Sequence, residues 1–107
     1  MGSQVFYRIF GDIFRISPLS AEMLQDRLPF EQVTISDGNL HFEHEGGYID
    51  MEEALELIAT GLTEKSSGKI DFIDTLEWEM TRFEITGREI GHKRIDLNNA
   101  LEKYMFE

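Results

Sequence analysis

Antiparallel strands with short helices packed on one face, an α+β layer fold, are what this sequence predicts. Three observations lead there. Segments that alternate apolar and polar residues recur along the chain, short runs with helical apolar spacing lie between them, and turn residues separate the two. The expectation is one antiparallel sheet built from successive β-hairpins, with about three short helices on one of its faces. A length of 107 residues suits a single domain, residues 1–107, with one modest core. Eight Phe, three Tyr and one Trp supply enough apolar bulk to argue against intrinsic disorder.

Residues 4–16 read as a first hairpin, with Gly11-Asp12 as its tight turn. Both parities of this segment are partly apolar, which points to a central place in the sheet. Ser17-Pro18 then reads as a helix start, with Leu19, Met23, Leu24 and Leu28 near helical spacing and Pro29 as the stop. Residues 32–35 form a second strand, Ser36-Asp37-Gly38-Asn39 a turn, and residues 40–45 the returning strand. In that strand Leu40, Phe42 and His44 share one face, and His41, Glu43 and Glu45 the other. Gly46-Gly47 ends it.

Asp50 and Glu53 make the Asp-x-x-Glu form of a capping box. Met51, Ala54, Leu55, Ile58 and Leu62 follow as an apolar stripe. Residues 63–69 read as a polar loop. Residues 70–90 favour strands over a helix capped by Asp74, with a bulge or turn near Thr81-Arg82 to reconcile two apolar parities. Residues 87–91 read as a loop, and Asp96 caps a last helix with Leu97, Ala100, Leu101 and Tyr104 inward. The words around Asp50 and Asp96 are alike: five of the eight residues in 49–56 recur at 95–102. The chain therefore also reads as hairpin–helix units at about residues 4–28, 32–62 and 70–106, with similarly capped helices as the plainer explanation.

The charge is unevenly placed. The formal net charge is −11, and residues 31–79 hold 13 acids against two bases, Lys65 and Lys69. The flanking segments are each balanced. Some of this acidity is helix chemistry, because acids in a first turn complement the dipole. Glu52 and Glu53, however, are Asn98 and Asn99 in the similar second segment. The acidity around Asp50 is therefore not demanded by capping alone.

Several function classes are disfavoured. An acidic chain repels phosphate backbones and anionic lipid, so neither direct nucleic-acid nor membrane contact is expected. The small basic cluster of Arg88, His92, Lys93 and Arg94 reads as a solvated loop. The chain has no cysteine, no apolar run approaching a membrane span and no secretion-signal pattern at its start, which suits a cytoplasmic setting. No Gly-x-Ser-x-Gly and no phosphate-cradling glycine loop is present, so no catalytic residues are assigned and no enzyme is expected.

The leading expectation is a non-catalytic acidic interaction or inhibitory module. It would dock a basic protein surface, with carboxylates imitating nucleic-acid phosphates. Its candidate contacts are Glu43, Glu45, Glu52, Glu53, Glu56, Glu77 and Glu79, with Trp78 either an aromatic anchor or a core residue. No cofactor is required. The alternative is a calcium-binding protein without an EF-hand, using Asp37, Glu43, Glu45, Asp50 and Glu53. His41 and Glu43 share a strand face at a spacing that suits two metal ligands, though a solvated strand face explains them as well. Oligomeric state is not legible.

Overall fold

The computed structural model describes residues 6–95. They form β1 (Tyr7–Phe14), α1 (Pro18–Arg27), β2 (Gln32–Ser36), β3 (Asn39–Gly46), α2 (Met51–Ala59), β4 (Ser67–Asp74), β5 (Glu79–Thr86) and β6 (Glu89–Ile95). The six strands make one antiparallel sheet in the order β2-β3-β1-β4-β5-β6. β1 and β2 run parallel with β3 between them, joined through α1. β3 and β4 run parallel with β1 between them, joined through α2. These are two interlocked split β-α-β units, the β-α-β-β-α-β pattern of ferredoxin-like domains, with β5 and β6 added as a further meander.

The α+β layer architecture is as expected, but the connectivity corrects the expectation of successive hairpins. β2–β3, β4–β5 and β5–β6 are hairpins, while β1 pairs only with strands distant in sequence. No turn occurs at Gly11-Asp12; β1 runs straight through both residues. Gly11 is there because the Phe42 ring lies across the β1 backbone, where a Cβ would overlap it. A glycine in a strand can mark a close approach as well as a bend, and here it is the approach. The central position expected for this segment is observed. Two helices lie among the described residues; the helix expected after Asp96, and with it the second copy of the repeated words, falls outside them.

The core forms between one sheet face and the two helices. Ile9 and Ile13 of β1, Leu40 and Phe42 of β3, and Ile70 of β4 meet Leu24 of α1 and Ala54 and Ile58 of α2, all buried. Phe30 stacks on Phe42 with ring centroids 4.2 Å apart and planes 5° from parallel. Each fully buried Ile, Leu or Phe side chain contributes about 1.5–3 kcal/mol by leaving water. Helix α1 starts as expected, with Ser17 at the N-cap and Pro18 in the first turn, although the Ser17 hydroxyl makes no capping bond. Leu19 departs from the expected stripe and is 95% exposed. In α2 the Asp50 carboxylate accepts the Glu53 amide at 3.1 Å, so half of the capping box is formed.

Residues 70–90 fall in regular strands, the end of β4, all of β5 and the start of β6, as expected in preference to a helix. No bulge interrupts β5; it stays in register with β4 and β6 throughout. The turn lies earlier, at residues 75–78. There Asp74 Oδ1 accepts the amides of Leu76 and Glu77 at 3.0 and 3.1 Å. The capping chemistry read at Asp74 is real, but it closes a turn and not a helix. The two apolar parities are reconciled by a sheet with two faces. Phe83 and Ile85 share the parity of Ile70 and the core, while Met80 is buried on the opposite side between its cross-strand partners Ile73 and Ile95. The loop expected at 87–91 is a two-residue turn, Gly87-Arg88, and strand β6 begins directly after it at Glu89.

Candidate functional site

Among the described residues the sheet has a helix-covered face and a helix-free face, and the strand registers fix which residues stand on each. Along β3, Leu40 and Phe42 point into the core, so His41, Glu43 and Glu45 stand on the helix-free face. Their β1 partners there are Asp12, Phe10 and Arg8. β4 adds Lys69 and Asp71, β5 adds Arg82 and Glu84, and β6 adds Lys93.

On this face acids and bases interleave and pair. Arg8 lies 3.2 Å from Glu45, Lys93 lies 2.9 Å from Glu84, and Arg82 reaches both Asp71 oxygens at 2.6 and 3.1 Å. His41 Nδ1 is 2.6 Å from Asp12 Oδ1 and its Nε2 is 3.4 Å from Glu43 Oε1. The Asp12 hydrogen bond is the main reason its pKa lies above the ordinary 6.5; partial burial opposes the rise, and the charge of Asp12 and the hydrogen bond and charge of Glu43 add to it. A ring whose two nitrogens both face carboxylates is favoured as the cation, and when protonated it donates from both nitrogens and offers no lone pair.

The helix side differs. α1 and α2 together carry five carboxylates, Glu22, Asp26, Glu52, Glu53 and Glu56, and one base, Arg27. Glu52, Glu53 and Glu56 are exposed. None of the three joins an ion pair among the described residues. Two of them occupy the first turn because acids there favour the helix dipole. The third lies one turn on, three and four positions away, and so shares their side of the helix.

The expected contact set is therefore divided. Glu52, Glu53 and Glu56 stay together on α2. Glu43 and Glu45 stand on the opposite side of the sheet, each beside a base. Glu77 is in the β4–β5 turn, and Glu79, at the start of β5, is held at 2.7 Å by Arg94. Of the basic cluster read as a loop, Arg88 lies in the β5–β6 turn, while His92, Lys93 and Arg94 belong to strand β6, where Lys93 and Arg94 serve as partners to carboxylates. Trp78 is not core: it is 45% exposed and closes the turn in the left-handed region, at φ 56°.

The five acids of the calcium alternative are not brought together. Asp37 is in the β2–β3 turn, Glu43 and Glu45 are on the helix-free face, and Asp50 and Glu53 are on the helix side, with Asp50 capping α2. Among the described residues no group of three His, Asp or Glu side chains is arranged to hold a metal ion. His44 lies on the core side of β3, with Nε2 3.2 Å from the Gly47 carbonyl oxygen. Among the described residues, no helix is long and apolar enough to cross a membrane.

The row of Phe6, Phe10 and Phe14 was missed from sequence. These rings stand 41, 40 and 46% exposed on the helix-free side of β1. Their even spacing was the available signal, and placing a turn at Gly11-Asp12 broke it. No protein-family model, curated protein or solved structure matches this chain.

Proposed function

We propose that this protein is a non-catalytic acidic interaction module that docks a basic protein surface through its helix layer, with Glu52, Glu53 and Glu56 as the principal contacts. The observation that carries this is the contrast between the two sides. Carboxylates on the helix-free face sit beside bases of the same sheet, whereas those of α2 have no such neighbour among the described residues. Charges left open to solvent set the field that an approaching partner meets, and they raise its association rate by about 10–10³ at low salt. A partner that ordinarily holds nucleic-acid phosphates, in the cytoplasmic setting expected from the sequence, is the class such a helix suits.

The test is capture of binding proteins by the immobilised chain, followed by association kinetics at several salt concentrations. Glu52→Lys, Glu53→Lys and Glu56→Lys together are expected to slow association at least about tenfold and flatten its salt dependence. Glu43→Lys with Glu45→Lys should do much less. Nucleic acid should compete for the captured partner. Binding that survives the α2 reversals unchanged sinks the reading.

A further inference from the structure

The helix-free face has a symmetry in its residues. Its central strand, β1, presents Arg8, Phe10, Asp12 and Phe14 outward, and Phe6 stands directly before it. Phe6 continues the strand's parity, its carbonyl accepting the Thr75 amide at 3.1 Å. Read from either end, the row has aromatic rings at the same places and opposite charges either side of Phe10. A half-turn about Phe10 sets Phe10 on Phe10, Phe6 on Phe14 and Arg8 on Asp12. The neighbouring strand follows the same rule. Glu45 lies beside Arg8 and His41 beside Asp12, so the half-turn sets Glu45 against His41. Glu43, which meets its own copy, already lies 3.4 Å from His41.

We propose that a second copy of this chain is the occupant of this face, with β1 lying antiparallel across β1 about a twofold axis at Phe10. A twofold interface must be complementary to itself, each residue meeting the image of its counterpart. A row of like charges would fail that condition, and this row meets it. Sheets packed face to face lie about 10 Å apart with strands within about 30° of aligned, which suits exposed Phe rings. The sheet presents a footprint of roughly 650 Å² per copy from its strand lengths and spacing. That is close to the about 800 Å² per partner of a standard interface, so the dimer should dissociate on dilution.

Sedimentation velocity over a dilution series tests this, with circular dichroism to confirm folding of each variant. The wild-type chain should pass from monomer to dimer mass as concentration rises. Phe10→Glu should remain monomeric, and Phe14→Ser, the milder change, should shift the transition to higher concentration. Arg8→Asp alone and Asp12→Arg alone should each raise the dissociation constant about tenfold, because the axis repeats every pair. Mixing those two variants should restore a dimer with one copy of each, since both Arg8–Asp12 crossings again join opposite charges. A wild-type chain that is monomeric throughout, or a mixture no tighter than its parts, overturns the proposal. So does a Phe10→Glu chain that still dimerises. A monomer whose β1 side chains prove covered by residues 96–107 overturns it too, by naming another occupant.

Discussion

At the scale of single residues, Gly11 is held by its neighbour and not by its own backbone. The Phe42 ring occupies the space where a side chain would begin. Gly11→Ala is therefore expected to cost about 1–3 kcal/mol through overpacking, read from the urea midpoint. Phe42→Leu in the same chain should recover part of the loss, and a loss unaffected by the second change would mean that the ring is not its cause. His41 supports a second prediction. Its folded pKa lies above the unfolded one, so its contribution to stability is complete below about pH 6.5 and fades as pH rises through the folded value. Asp12→Asn should bring the His41 pKa back towards its ordinary value, as followed by NMR titration of the ring protons. A titration that does not move would remove Asp12 as the main cause. Ser66 binds the β1–α1 corner. Its buried hydroxyl donates to the Arg15 carbonyl at 2.8 Å and accepts the Thr63 amide at 2.8 Å. Ser66→Ala deprives the Thr63 amide of its acceptor and leaves the Arg15 carbonyl with the Thr63 hydroxyl alone, and should cost about 1–3 kcal/mol in the same urea measurement.

At the scale of elements, α2 carries both a structural and a surface role, and the two can be separated. Asp50→Ala removes the bond to the Glu53 amide and should lower stability by about 0.5–2 kcal/mol, read as a drop in thermal midpoint. The Glu-to-Lys changes at 52, 53 and 56 alter exposed side chains and should leave folding largely intact while changing association. Capped and strongly amphipathic elements were legible in the sequence: the Asp50 helix, the Asp37-Gly38 turn and the β3 alternation all appear where their residues placed them. The turn has Asp37 at φ 53° and Gly38 at φ 78°, the doubly positive pattern of a tight two-residue hairpin. What was not legible has a common physical origin. A glycine in a strand and an aspartate with free amides after it each satisfy two local structures, and only tertiary partners choose between them. At Gly11 the choice is made by Phe42. At Asp74 it is made by the β4–β5 register.

At the scale of the whole molecule, the acidic segment read as one tract is distributed by the fold to both sides of the sheet. Sequence neighbours alternate between faces on a strand and wind around a helix, so a linear excess of charge does not become one patch. That explains why Glu43 and Glu45 separate from Glu52, Glu53 and Glu56, and why the candidate site was only half visible in the sequence. Two surfaces remain, a near-neutral sheet face with a row of Phe and an acidic helix layer behind it. Pairing through the first would leave the second outward on both copies. A dimer could then grip a repeated basic partner with avidity that the Phe10→Glu monomer lacks.

The central position of β1 also constrains the order in which the molecule is assembled. Both of its hydrogen-bonding neighbours come later in the chain, and the Phe6 carbonyl is bonded by a Thr75 hydroxyl 69 residues away. During translation β1 emerges with its aromatic side chains uncovered and no strand to join. It must wait for β3, and then for β4, before either edge is satisfied. Long-range closures of this kind slow folding, because loop entropy is lost before contacts compensate for it. The strand at the middle of the finished sheet is thus the one exposed longest while that sheet is being made.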